Sequence, residues 1–152
     1  MSASVGQAPP DFTLPDQNGT PVTLSALKGG WVVVYFYPKD DTPGCTTEAC
    51  SFRDSFEDFT DAGATVIGIS SDSVASHKAF EEKFQLPFTL VADEGGAVRK
   101  QWKVGKTLGL IPGRVTYVID PEGVVRHVFS SQMKAAKHIP EALEAIRAGS
   151  PA

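Results

Sequence analysis

The stretch Trp31-Val32-Val33-Val34-Tyr35-Phe36-Tyr37-Pro38-Lys39-Asp40-Asp41-Thr42-Pro43-Gly44-Cys45-Thr46-Thr47-Glu48-Ala49-Cys50 decides the fold. Its first part, Trp31 to Tyr37, is uniformly apolar, the pattern of a central strand covered on both faces. It then turns at Pro43-Gly44 and enters a segment, Thr46 to Ala62, with apolar residues at 49, 52, 56 and 59. That is the spacing of one helical face. A buried strand that leads through a short turn into an amphipathic helix is an α/β unit.

Working outward, Phe12-Thr13-Leu14 and Val22-Thr23-Leu24 flank Asp16-Gln17-Asn18-Gly19. Asn-Gly between short alternating runs predicts a hairpin. Thr65 to Ile69 reads as a second central strand, Ser73 to Phe84 as a helix, Phe88 to Val91 as a short strand and Ala97 to Trp102 as a short helix. Val115 to Ile119 and Val124 to Phe129 predict a second hairpin around Asp120-Pro121-Glu122-Gly123. Ile139, Ala142, Leu143 and Ile146 mark a last amphipathic helix, with Pro140 near its first turn. The expected architecture is an α/β three-layer sandwich: a mixed central sheet, helices on both faces and an N-terminal β-hairpin. Neither repeat nor linker interrupts it, so residues 1–152 are read as one domain.

A chain of 152 residues buries enough surface to fold without staples. The net charge of −4 and the scattered basic residues give no reason to expect a nucleic-acid partner. No apolar run approaches the roughly 20 residues of a membrane-spanning helix, so no membrane role is expected. Met1 to Pro10 has neither the basic segment nor the apolar core of a signal peptide. The expected location is a reducing compartment, taken to be the cytoplasm. A lone structural disulfide is unusual there, and a transient catalytic one is not.

Cys45 and Cys50 are the only two cysteines. A helix beginning near Cys45 places that thiol among unpaired backbone N–H groups, at the positive end of the macrodipole. Both favour the thiolate, which is the nucleophilic form. Glu48, one turn on, opposes it, so a basic partner from elsewhere is needed. On a helix Cys45 points with Ala49, Phe52, Phe56 and Phe59, while Cys50 lies about 140° around and about 7.5 Å along. The Cα atoms are then roughly 8–9 Å apart, beyond the roughly 7 Å that a disulfide spans. Either Cys50 is an inert helix residue, or its function requires this turn to unwind. The spacing is neither Cys-x-x-Cys nor a zinc framework, and His77, His127 and His138 lack paired metal-ligand spacing. No metal or cofactor is expected.

Pro38, Thr42 and Cys45 fit Pro-x-x-x-Thr-x-x-Cys, and the chain from Thr42 to Asp54 resembles the Q-type peroxiredoxins, also called bacterioferritin-comigratory proteins. The likeness extends to Ala8-Pro9 with Asp11 to Asp16, to Val66 to Asp72, and to Gly113 to Asp120. The resemblance implies a thioredoxin-like fold and a cofactor-free peroxidase acting on hydrogen peroxide and organic hydroperoxides. It makes Cys45 the peroxidatic thiol and Cys50 the resolving one, joined in an intramolecular disulfide. Thr42 would hydrogen-bond the sulfur and the peroxide, Pro38 would shield the site from water, and Arg114 would supply the positive charge. Thioredoxin or a similar dithiol would recycle the enzyme.

Two features of peroxidation-sensitive peroxiredoxins are missing, which favours the intramolecular Q-type cycle. The end, Ile146 to Ala152, has no Tyr-Phe tail, and Gly95-Gly96 is followed by Ala97-Val98 rather than Leu-Gly. No distant cysteine exists for an intersubunit disulfide, so a monomer is expected. Each residue also has a plainer role. Pro38 and Pro43 serve turns, Thr42 caps a helix, and Arg114 lies before an edge strand. Arg53 is a second basic candidate or one half of a surface ion pair. Tyr37 lines the site or packs in the core, and Trp31, Trp102 and His127 pack or sit on a strand. A non-enzymatic redox switch and a disulfide reductase stand as alternatives at this point.

Overall fold

A computed structural model describes residues 3–104, 106–107, 111–131 and 134–149. The elements in order are β1 (Thr13–Pro15), β2 (Pro21–Thr23), β3 (Trp31–Phe36), α1 (Pro43–Asp54), α2 (Phe56–Asp61), β4 (Ala64–Ser70) and α3 (Val74–Phe84). Then follow β5 (Thr89–Ala92), α4 (Ala97–Gln101), β6 (Lys106–Thr107), β7 (Ile111–Pro112), β8 (Val115–Ile119), β9 (Val125–Ser130) and α5 (His138–Gly149). Single 3₁₀ turns cover Leu24–Leu27 and Ala135–Lys137.

The central sheet has the order β5-β4-β3-β8-β9. β3 pairs parallel with β4 and antiparallel with β8, so the sheet is mixed. All six residues of β3 are buried, as its unbroken apolar run predicts for a middle strand. Its side chains alternate between two cores. Trp31, Val33, Tyr35 and Tyr37 face Cys45, Ala49 and Phe52 of α1 and Ile139, Ala142 and Ile146 of α5. Val32, Val34 and Phe36 face Phe12, Leu24, Val98 and Trp102. The fold is thioredoxin-like: a mixed five-stranded sheet between helices, with an antiparallel N-terminal hairpin. Gln17 at the hairpin tip is buried and ties it to β5, donating to Phe88 O and accepting from Leu90 N.

The predicted helix from Thr46 to Ala62 is two helices. It starts earlier, with Pro43 in the first helical position, and breaks at Ser55, whose φ of −103° and ψ of 11° leave the helical path. Apolar periodicity hides the break, because Phe52 and Phe59 remain buried on both sides of it. The small β6–β7 sheet has no sequence signal strong enough to predict it. Of the C-terminal stretch from Ile146 to Ala152, positions 150–152 lie outside the described residues.

Candidate active site

Cys45 lies in the first turn of α1 and is only 1% exposed. Cys50 is on the same unbroken helix and half-buried, and both thiols are free. The helix therefore holds the two cysteines in the separated arrangement that its geometry requires. Thr42 is the residue before the helix, but its side chain makes no capping bond. Its hydroxyl donates instead to the Lys39 carbonyl at 2.9 Å. A hydroxyl has one proton. In this structure that proton goes to Lys39, which leaves the Thr42 oxygen with its lone pairs for accepting further bonds.

Arg114 enters from the start of β8. Its Nη2 donates to the Cys45 sulfur at 3.3 Å and its Nη1 to Glu48 Oε1 at 2.7 Å. Both ion-pair partners are almost wholly buried. A Cβ on Gly44 would lie 2.9 Å from Arg114 Nη2, so glycine there leaves room for the guanidinium. Burial alone would lower Arg114, but the Glu48 carboxylate and the Cys45 sulfur beside it outweigh that and raise it. Glu48 is pushed up to about 8 by burial, with Arg114 opposing.

His138 lies under the same cluster, with Nδ1 3.5 Å from Glu48 Oε2. Its Nε2 meets the Ser131 carbonyl at 2.9 Å and its Nδ1 meets Thr116 Oγ1 at 2.7 Å. A carbonyl only accepts, so Nε2 carries the proton and Nδ1 accepts from the Thr116 hydroxyl. Burial lowers His138 to about 4, which keeps it neutral at ordinary pH.

The loop between β3 and α1 is fastened by Asp40. Its carboxylate accepts from Tyr37 OH at 2.5 Å and Ser76 Oγ at 2.8 Å, and lies 2.7 Å from His77 Nδ1. Its N–H donates to Asp72 Oδ2 at 2.8 Å. Burial, aided by the Asp40 carboxylate, raises the Tyr37 phenol far above its ordinary value, so it remains a donor. Asp40, Asp72 and His77 bring one ligand atom each within 4.8 Å of one another. Each of those groups is already committed to hydrogen bonds within this anchor, which accounts for the cluster without a cation.

Pro38 is half-buried where the chain leaves β3. A cleft of about 480 Å³ passes Pro43, Gly44 and Thr47 of α1 and the turn from Lys134 to Lys137. Arg53, the alternative cation, donates to Asp54 and to the Phe84 carbonyl, which is the plainer of its two roles. Tyr37 is core and anchor together, Trp31 and Trp102 pack in the two cores, and His127 pairs with Glu141 at the surface. Sequence reasoning missed Glu48 as the partner of Arg114, along with the Asp40–His77 anchor, His138 and the buried Arg99. Their only signal is a polar residue type at a position whose neighbours place it indoors.

A family model described as AhpC/TSA matches residues 5–128. Peroxiredoxin Q, chloroplastic, of Sedum lineare is 58% identical over 143 residues, covering 93% of this chain and 77% of that protein. The crystal structure of peroxidoxin BcpB from Mycobacterium tuberculosis superposes with a TM-score of 0.90 at 40% identity, covering 97% of this chain and 98% of that one. The bacterioferritin comigratory protein of Xanthomonas campestris gives 0.83 at 38% identity, covering 90% of each chain, in a study of alkyl peroxide reduction. The cytoplasmic expectation is corrected by these relatives. Those at 54–58% identity bear chloroplastic names, that of Sedum lineare among them. Cysteine usage speaks to the redox character of a compartment and carries no address, which is why the inference failed.

Proposed function

Because this chain belongs to the AhpC/TSA family, as a Q-type peroxiredoxin and a thiol-dependent peroxidase, we propose that Cys45 is its peroxidatic thiol and Cys50 its resolving one. The observation that carries the assignment is the 3.3 Å contact between Arg114 Nη2 and the Cys45 sulfur. A guanidinium stays charged and offers several donors in a fixed fork. It can serve the sulfur and a bound peroxide oxygen together while Glu48 holds its other arm.

The Cys45 thiolate attacks the terminal peroxide oxygen and the O–O bond breaks. The electron pair leaves with the alkoxide or hydroxide, which takes a proton to become alcohol or water. Arg114 and the free N–H groups of the first helical turn stabilise the charge as it moves from sulfur to oxygen. Thr42, its own proton given to Lys39, accepts from the peroxide O–H and orients it. Pro38 limits water at the site. Cys45 is now a sulfenic acid. The Cys50 thiolate attacks its sulfur, hydroxide leaves and is protonated to water, and a Cys45–Cys50 disulfide forms. A dithiol such as thioredoxin reduces it by exchange through a mixed disulfide. This reading treats residues 1–152 as one domain that completes the cycle as a monomer, on hydrogen peroxide and organic hydroperoxides. The Xanthomonas campestris relative supports the latter class.

The test is hydroperoxide consumption with thioredoxin, its reductase and NADPH. The reading expects many turnovers per chain. One equivalent consumed and no more would indicate a redox switch. Activity confined to disulfide substrates would indicate a reductase.

A further inference from the structure

Arg99 stands on α4, whose start is fixed by Asp93: Oδ1 accepts from Val98 N at 3.1 Å and Oδ2 from Arg99 N at 2.9 Å. The Arg99 side chain runs inward and is 8% exposed. Its Nη2 donates to the Tyr37 carbonyl at 2.9 Å and its Nη1 to the Gly113 carbonyl at 3.0 Å. Its Cζ lies 5.6 Å from the centroid of the Phe36 ring, within reach of a cation–π attraction.

The two carbonyls belong to particular places. Tyr37 immediately precedes Pro38, and Gly113 immediately precedes Arg114. The β3–β8 ladder ends at the pair Phe36–Val115. Beyond it the strand ends that carry the loop to Cys45 and the active-site arginine have no ladder bond between them. The Arg99 fork closes that gap. Burying a guanidinium is costly unless its donors are used, and two neutral carbonyls are modest compensation. A neutral core residue would fill the space more cheaply but would leave the strand ends unjoined. Burial pulls the Arg99 guanidinium below its ordinary value, while Asp93, Tyr117 and the Cys45 sulfur pull the other way, so its charge is also felt at the site.

We propose that Arg99 is a positioning residue for peroxide reduction. By spanning the Tyr37 and Gly113 carbonyls, it sets the separation between the Pro38–Cys45 segment and Arg114, and keeps Arg114 in reach of the sulfur. The inference rests on the reading of Cys45 and Arg114 as the reacting pair. It also explains why the group is an arginine. A lysine ammonium is a compact point charge whose three rotatable donors do not hold two carbonyls in a fixed plane.

The test is a double-mutant cycle read by the single-turnover rate of Cys45 oxidation, using rapid mixing with hydrogen peroxide and acid quench. Arg99→Met and Arg99→Lys should each lower that rate on the order of 10²-fold, the cost of a misplacement near 1 Å. In an Arg114→Ala background the same changes should lower it by no more than about twofold, because the group being positioned is gone. A role in stability alone leaves the two effects additive, and additivity would overturn the proposal. So would an unchanged rate, or a wild-type rate for Arg99→Lys, which would make charge rather than position the requirement. Should Arg99→Met fail to fold by circular dichroism, the lysine variant carries the cycle. Undiminished peroxide consumption by Cys45→Ser would instead overturn the parent reading.

Discussion

Arg114 donates to the Cys45 sulfur across 3.3 Å, although 69 positions separate the two residues in the chain. The contact depends on two neighbours. Glu48, one turn along α1 from Cys45, holds the other arm of the guanidinium at 2.7 Å. Gly44 has no side chain to displace it. Cationic charge reaches the thiol from β8, while position comes from the thiol's own helix.

Arg114→Ala is expected to slow single-turnover oxidation of Cys45 about 10²–10³-fold, as loss of a preorganised donor does. It also strands Glu48 in the core. Glu48, already raised to about 8, then takes up a proton rather than staying a buried charge; losing its hydrogen-bond partner costs about 1–3 kcal/mol, so the urea midpoint should fall too. An unchanged rate with a lowered midpoint would make Arg114 purely structural.

Gly44→Ala separates the two effects. Gly44 lies in the first turn of α1, so the substitution should leave the helix intact, and any loss of stability should be smaller than that of Arg114→Ala. The new methyl group would press on Arg114 Nη2 at 2.9 Å, and the oxidation rate should drop about tenfold or more. A stable variant reacting at the wild-type rate would show that Arg114 need not sit where it does.

Glu48 and His138 predict opposite pH slopes. Glu48 has a folded value of about 8 against an ordinary 4.5, raised by burial. The folded state therefore binds its proton more tightly, and its contribution declines as pH rises from about 4.5 to about 8. His138 has a folded value of about 4 against 6.5, lowered by burial. The unfolded state takes that proton first, so stability declines as pH falls from about 6.5 to about 4. Urea titrations across pH should show Glu48→Gln losing the first decline and His138→Gln the second. Slopes identical to wild type would contradict these environments.

Thr42 should be replaceable by serine and not by valine. Serine keeps an oxygen that donates to Lys39 O and accepts from the peroxide, whereas valine keeps only the shape. Thr42→Val should lose about 10²-fold in the oxidation rate, with Thr42→Ser near wild type. Equal rates for both would reduce Thr42 to a turn residue.

The sequence makes the sheet legible because its central strands are unbroken apolar runs, Trp31 to Tyr37 and Val66 to Ile69. The candidate residues Cys45, Cys50, Pro38 and Thr42 can be singled out together because they lie close in the chain. Helix ends are less so: Phe52 and Phe59 keep one buried face across the break at Ser55, and periodicity does not register it. The polar residues beneath the site are least legible. Glu48 reads as a surface acid at a helix start, yet it is wholly buried because Arg114 arrives from 66 positions away. Asp40 and His77, 37 positions apart, and Arg99 and Tyr37, 62 apart, acquire meaning only when the strands and helices are assembled.

The central claim is that Cys45 and Cys50 complete one cycle within one chain, and that α1 must open for them to do so. The start of α1 favours opening, since Thr42 spends its hydroxyl on Lys39 and leaves the first turn without a side-chain cap. The most direct measurement is mass spectrometry after one equivalent of hydroperoxide, with peptide mapping and hydrogen exchange on the same sample. The account predicts a loss of two hydrogens, a single Cys45–Cys50 disulfide within the chain, and faster exchange over residues 45–51 than in the reduced protein. A disulfide wholly between chains, a Cys45 left as sulfenic acid while Cys50 stays free, or an oxidised α1 as protected as the reduced one would contradict it.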